Sequence, residues 1–151
     1  MSTTSNQPSV KPGLPTGAPS PEWLEQNEAT LEELLKLPAN WNSYGAAPIR
    51  PDAVEAARDV LGKIVRSDTP QPAVVPTVRG GIQLEWHTHG IDLEIEIPES
   101  GQFHVWYEDP QEEIELQHDA SLSQLPRLIE LVARLSRRQQ WTAHVVPSPM
   151  V

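Results

Sequence analysis

Strict alternation of apolar and polar residues constrains the fold of this sequence more than any other feature. Because successive side chains of a β-strand point to opposite faces, this period predicts strands that are buried on one face only. Short polar connections between the runs predict an antiparallel meander. The alternating apolar positions are Ile82, Leu84, Trp86, Ile91, Leu93, Ile95, Ile97, Phe103, Val105, Tyr107, Ile114 and Leu116.

A further short run precedes the alternating region. Residues 73–78 are rich in β-branched side chains and contain Pro76, which lacks a backbone N–H and therefore predicts an edge strand. The Gly80-Gly81 pair that follows is a hairpin signal. The sequence thus predicts four or five strands.

Three stretches with helical periodicity flank the strands. The first follows Ser20 and Pro21, a capping hydroxyl and a residue suited to the first helical position, and ends near Pro38. The second begins at Pro51, and the third at about Ser123. The order α-α-β(4–5)-α segregates helices from strands, which predicts an α+β fold with the helices packed on one face of the meander.

The two ends of the chain differ in composition from its middle. Residues 1–20 are rich in Ser, Thr, Pro and Gly and have no apolar pattern, so they predict a disordered N-terminal tail. Residues 146–151 contain two prolines and predict a C-terminal tail. A single α+β domain is therefore expected over residues 21–145.

Charge and composition exclude several functional classes. The net charge of −10 argues against direct binding to nucleic acid phosphates. The absence of cysteine excludes disulfides, thiolate zinc sites and a cysteine nucleophile. The sequence has no apolar run long enough for a membrane span and no signal-peptide pattern, so we expect a cytoplasmic protein. It also lacks the G-x-S-x-G, H-E-x-x-H and phosphate-loop motifs, and we expect neither catalytic residues nor a cofactor.

The polar face of the meander is strongly acidic. Residues 82–118 contain ten acidic residues and no Lys or Arg. Four-residue turns at 87–90 and 109–112, with a turn at 98–102, keep all apolar residues on one face. This register predicts three outer rows: Glu85, Asp92, Glu108 and Glu113 in one, Gln83, Glu94, Trp106 and Glu115 in the next, and Glu96, His104 and Gln117 in the third.

Three interpretations of this outer face remain open. Charge runs are usually solvated faces that prevent aggregation. Alternatively, the carboxylates and Trp106 form a docking face for a basic partner, because complementary charge steers association and Trp is a frequent interface anchor. A metal site is the third interpretation, with His87, His89 and His104 beside Glu85 or Asp92, although these residues have no known ligand spacing.

A second candidate surface is the loop at residues 40–45, which reads Asn-Trp-Asn-Ser-Tyr-Gly. Its two aromatics, Trp41 and Tyr44, stand among hydrogen-bonding residues, a mixture that suits recognition. The alternative is that both aromatics cap the core under a long loop.

Two segments carry a resemblance to known sequences. They are Asn40 to Ile49 (NWNSYGAAPI) and Pro76 to Ile97 (PTVRGGIQLEWHTHGIDLEIEI). Together they resemble a group of short bacterial proteins with an N-W-x-x-x-G-A-x-P-I loop and a G-G-x-x-L-E-W…L-E-I-E-I hairpin. That group has no established function. The resemblance implies a bacterial origin and supports the predicted hairpin register, and it brings no catalytic residue.

These observations favour a non-enzymatic, acidic protein-binding module of the antitoxin, immunity or inhibitor kind. Its expected partner is a basic protein, with no membrane and no direct nucleic acid contact. Two alternatives stay open: a small-ligand or metal-binding sensor domain that uses the histidines, and an acidic mimic of nucleic acid. The expected partner-binding residues are Glu85, Asp92, Glu94, Trp106, Glu108 and Glu113, together with Trp41 and Tyr44.

Overall fold

The computed structural model of the protein describes residues 20–99, 102–111, 114–121 and 125–144. Over these residues the chain forms a five-stranded antiparallel sheet in the order β1-β2-β3-β4-β5, with helices on one face. This architecture confirms the predicted α+β meander. Most of the predicted N-terminal tail and all of the predicted C-terminal tail lie outside the described residues. The elements are α1 (Leu24–Leu34), α2 (Pro51–Ile64), β1 (Ala73–Pro76), β2 (Ile82–Thr88), β3 (Ile91–Glu99), β4 (Gln102–Asp109), β5 (Ile114–Ser121) and α3 (Leu125–His144).

Helix α2 begins at Pro51 as predicted, whereas α1 is shorter than predicted. Its N-cap is Trp23 rather than Ser20, because the chain first makes a turn in which the Leu24 N–H donates to the Pro21 carbonyl at 3.1 Å. The Trp23 indole then donates to the Thr69 carbonyl at 2.7 Å, which ties this end of α1 to the segment before β1. None of the described helices combines the length and the apolar character that crossing a membrane requires.

The core lies between the helices and the inner face of the sheet. Trp86, Leu93 and Val105 are buried there, as the alternation predicts. Apolar side chains of α2 and α3 belong to the same packed cluster and cover the inner face. The helical members of that cluster are Leu31, Ala53, Val54, Ala57, Val60, Leu61, Ile64, Leu128, Leu131, Val132 and Leu135.

The register of the central strands is partly as predicted. Strands β3 and β4 pair Leu93 with Tyr107 and Ile95 with Val105, which confirms the prediction. Between β2 and β3 the predicted register is wrong by two residues, because Trp86 pairs with Leu93. Strand β2 continues to Thr88, and the turn contains only His89 and Gly90, with φ angles of 54° and 81°. Two successive positive φ angles match a tight type I′ hairpin, and glycine suits the second position.

The β4–β5 register is also wrong by two residues, and a buried charge explains the difference. Tyr107 pairs with Leu116, so Asp109 is the last residue of β4 rather than the first of the turn. The Asp109 side chain is fully buried and pairs with Arg138 of α3 at 2.8 Å. An ionised carboxylate tolerates burial only when it is paired and hydrogen-bonded, and this arginine lies 29 residues away in sequence.

Candidate functional site

The outer face of the sheet carries three rows of polar residues across β2, β3, β4 and β5, and the observed register corrects the predicted rows. The predicted row of Glu85, Asp92, Glu108 and Glu113 does not form, because the β2–β3 and β4–β5 pairings are displaced by two residues. Glu113 itself lies outside the described residues. The observed rows are His87-Asp92-Glu108-Glu115, Glu85-Glu94-Trp106-Gln117 and Gln83-Glu96-His104-Asp119.

A histidine therefore stands among the carboxylates. His87 is not in a turn, as the sequence suggested, but on β2, where its Nδ1 lies 2.7 Å from Asp92 Oδ1. Its Nε2 lies 3.5 Å from Glu85 Oε2 and 3.6 Å from Glu94 Oε1. The hydrogen bond to Asp92, together with the negative charges of Asp92 and Glu85, raises the pKa of His87 above its ordinary value. This imidazole offsets part of the repulsion that a purely acidic row would create.

Gln83 completes the group from the next position on the same face of β2. Its side-chain amide donates to Glu85 Oε1 at 2.8 Å and lies 3.4 Å from Glu94 Oε2. Each of the two glutamates thus has one carboxylate oxygen near Gln83 and the other near His87. The predicted register placed Gln83 opposite Glu94 but put Glu85 in another row, so it did not indicate that one amide contacts both glutamates.

The predicted histidine metal site does not assemble. His89 lies in the β2–β3 turn, and His104 lies on β4, two rows away from His87. Among the described residues, the potential metal-ligating atoms that come together belong instead to Glu85, His87 and Glu94, and they lie within 4.8 Å of one another. The Glu85-x-His87 spacing was the available sequence signal, because residues two apart share one face of a strand.

Trp106 occupies the centre of the acidic face. It lies directly opposite Glu94 on β3, and its neighbours on the same face of β4 are His104 and Glu108. The side chain is only half-buried, while Tyr107 beside it in sequence is fully buried in the core. A partly exposed indole thus has Glu94 across the strand pair and Glu108 beside it.

The loop at residues 40–45 is ordered by its own side chains. Asn42 Oδ1 accepts hydrogen bonds from the backbone N–H groups of Tyr44 and Ala46, at 2.9 and 3.1 Å. The Trp41 indole donates to the Ala47 carbonyl at 2.9 Å. Tyr44 is 91% exposed, which rules out the alternative in which it caps the core. The loop presents this tyrosine at its tip.

Backbone contacts join this loop to the connection between β1 and β2. The Ala47 N–H donates to the Val78 carbonyl, and the Arg50 N–H donates to the Gly80 carbonyl, at 2.9 and 2.8 Å. Gly80 has a φ of 90°, and a Cβ there would lie 2.8 Å from the Pro48 carbonyl oxygen. Only glycine fits this close approach. The loop at residues 40–45, called the Trp41 loop below, is therefore held near the start of β2. It is a second candidate surface besides the acidic outer face.

Comparisons with protein-family models, with curated proteins and with solved structures find no match to this chain. Its function is accordingly inferred from the chemistry of these two surfaces.

Proposed function

We propose that this chain is a non-enzymatic protein-binding module of the antitoxin, immunity or inhibitor kind, and that it binds a basic partner through the outer face of its sheet. The observation that carries the proposal is the charge of that face. Among its described side chains, carboxylates dominate and the only groups that can carry positive charge are histidines. The carboxylates are Glu85, Asp92, Glu94, Glu96 and Glu108.

Cross-strand repulsion in the free protein supports a cationic partner. Asp92 and Glu108 are directly paired across β3 and β4. Like charges at such positions have Cβ atoms about 4.5–5.5 Å apart and destabilise the sheet. Lysine and arginine side chains of a partner would remove this repulsion on binding and would speed association through long-range attraction.

Trp106 supports a more specific contact with arginine. A guanidinium group stacks on an indole face and at the same time donates hydrogen bonds to a neighbouring carboxylate. Glu94, opposite Trp106, and Glu108, two residues further along β4, are placed for that second contact. Trp is also among the residues that most often dominate interface energetics. Trp106 is therefore the proposed anchor of the interface, with the acidic rows around it.

The test compares charge-neutralised variants in titrations against the partner that co-purifies with the chain from its native host. Glu96→Gln combined with Glu108→Gln removes two charges from the outer face. It leaves His87 and its contacts with Glu85, Asp92 and Glu94 intact. We expect weaker binding and a flatter salt dependence, because screened attraction governs association. Trp106→Ala should weaken binding while most of the salt dependence remains.

The matched control is Glu22→Gln combined with Glu25→Gln, which removes the same charge from exposed positions at the start of α1. Equal weakening by the control would show that only net charge matters, which contradicts a specific face. Full binding by the outer-face variants together with loss of binding by Tyr44→Ala would move the contact to the Trp41 loop. Competition by duplex DNA for the same partner would identify the chain as an acidic mimic of nucleic acid.

A further inference from the structure

We propose that Glu85, His87 and Glu94 form a binding site for one divalent transition-metal ion of the Zn²⁺ type. This site goes beyond the proposed protein-binding function and does not depend on it. All three residues lie on the outer face of the adjacent strands β2 and β3, and the paired positions of Glu85 and Glu94 fix their backbones relative to each other.

The spacing of the three ligand atoms fits a metal ion better than direct hydrogen bonds. His87 Nε2 lies 3.5 Å from Glu85 Oε2 and 3.6 Å from Glu94 Oε1. Both distances exceed the usual N–H···O range of about 2.7–3.2 Å. Zinc–nitrogen and zinc–oxygen bonds of about 2.0–2.2 Å place the ligand atoms of a tetrahedral ion roughly 3.3–3.5 Å apart. The two nitrogen–oxygen separations are thus already close to those that coordination requires, and all three atoms lie within 4.8 Å of one another.

Each of the three ligands is also held through an atom that would not touch the metal. Asp92 lies 2.7 Å from Nδ1 of His87, a contact that selects the Nδ1–H tautomer of the neutral ring and leaves the Nε2 lone pair directed at the two glutamates. Gln83 lies 2.8 Å from Glu85 Oε1 and 3.4 Å from Glu94 Oε2, the two oxygens on the far side from His87. Outer partners of this kind orient ligands in established metal sites.

The donor set determines the class of ion. One imidazole nitrogen with two carboxylate oxygens suits zinc and neighbouring transition metals, whereas Mg²⁺ and Ca²⁺ prefer oxygen ligands alone. Two carboxylates balance the charge of a divalent ion. The side chain of His87 is about half exposed, at 48%, so an ion can enter from solvent and a water molecule can complete the coordination.

The experiment is calorimetric titration of the full chain, freed of metal, with Zn²⁺ alone. We expect one ion bound per chain at this site. His87→Gln should weaken binding by more than tenfold, and Asp92→Asn by about tenfold, the lower end of the effect of losing an outer partner. His104→Gln is the matched control, because it removes a histidine from the same face two rows away, and it should bind Zn²⁺ as the unaltered chain does. Excess Mg²⁺ should not compete.

Thermal melts establish that each variant is folded, and Glu94→Gln provides a second test of the ligand set if His87→Gln does not fold. Absence of Zn²⁺ binding by the unaltered chain would overturn the proposal. Equal affinities of the His87→Gln and His104→Gln variants would also overturn it. The variants of the protein-binding test leave these three ligands unchanged, so the two proposals can fail separately.

Discussion

The buried pair of Asp109 and Arg138 allows a quantitative prediction about stability. Asp109 is fully buried, and Arg138 is only 13% exposed. Arg138→Met would leave the Asp109 carboxylate with hydrogen bonds from the Tyr107 hydroxyl at 3.4 Å and from the Gln111 N–H at 3.2 Å. Both are long hydrogen bonds and neither carries a charge. Removing one partner of a buried ion pair costs about 3–5 kcal/mol, and we expect a loss of unfolding free energy in that range.

The double variant Asp109→Leu with Arg138→Met shows how much of this loss comes from leaving Asp109 charged and unpaired. Replacing both charges by apolar side chains removes the uncompensated charge and is often close to neutral. The hydrogen bond from Arg138 to the His89 carbonyl, 3.1 Å long, is still lost, at a cost of about 1 kcal/mol. The double variant should therefore be less stable than the unaltered chain by only about 1 kcal/mol.

Urea denaturation at neutral pH, followed by tryptophan fluorescence, measures these differences. Lys36→Gln is the control, because it breaks an ion pair with Glu33 in which the side chains are 72% and 70% exposed, and such pairs contribute under about 1 kcal/mol. A loss for Arg138→Met no larger than that for Lys36→Gln would contradict the cost of an unpaired buried charge. A double variant as unstable as the single one would contradict it as well.

Two further predictions concern the core and His87. Leu93→Ala should lower the free energy of unfolding by about 2–5 kcal/mol, because Leu93 is fully buried in the sheet, and a loss below about 1 kcal/mol in the same urea assay would contradict the packing. In the metal-free protein, NMR titration should give His87 a pKa above 6.5, and Asp92→Asn should bring it back towards that value, because the Asp92 hydrogen bond is the main cause of the rise. The pKa of His87 is higher in the folded protein than its value of about 6.5 in the unfolded chain. His87 therefore stabilises the fold below a pH of about 6.5, and this contribution is lost as the pH rises through the pKa of the folded protein. An unchanged His87 titration in Asp92→Asn would show that the contact does not form in solution.

The sequence predicted which residues of β2, β3 and β4 are buried, but it predicted the neighbours across strands correctly only between β3 and β4. The alternation from Ile82 to Tyr107 has a period of two, so a register shift of two residues leaves every apolar side chain on the same face. Burial of Trp86 and Leu93 was therefore predictable, whereas their direct pairing depended on the length of a turn. The His89-Gly90 turn could have been recognised, since Gly favours the second position of a tight hairpin and His tolerates a positive φ.

The burial of Asp109 could not be predicted from local sequence patterns. Asp109 precedes Pro110 in a segment that has the composition of a turn, and nothing nearby in sequence marks Arg138 as its partner. The same limit applies to the candidate metal site. Glu85 and His87 could be placed on one face from their spacing, but the approach of Glu94 required the correct register. Which polar residues pair depends on how neighbouring strands are aligned. The period of the apolar residues leaves that alignment open to shifts of two residues.

The tight turn at His89-Gly90 makes the outer surface able to change separately from the interior during evolution. Closure of this hairpin through a four-residue turn at residues 87–90 would still bury Leu84 and Trp86, but it would bring Glu85 opposite Asp92 instead of Glu94. The cluster of Glu85, His87 and Glu94 would then separate. The outer face would carry a different arrangement of charges over the same hydrophobic core. Loop length in this architecture is thus a means of changing recognition, and descendants of one ancestor could differ in what they bind while their core residues stay the same.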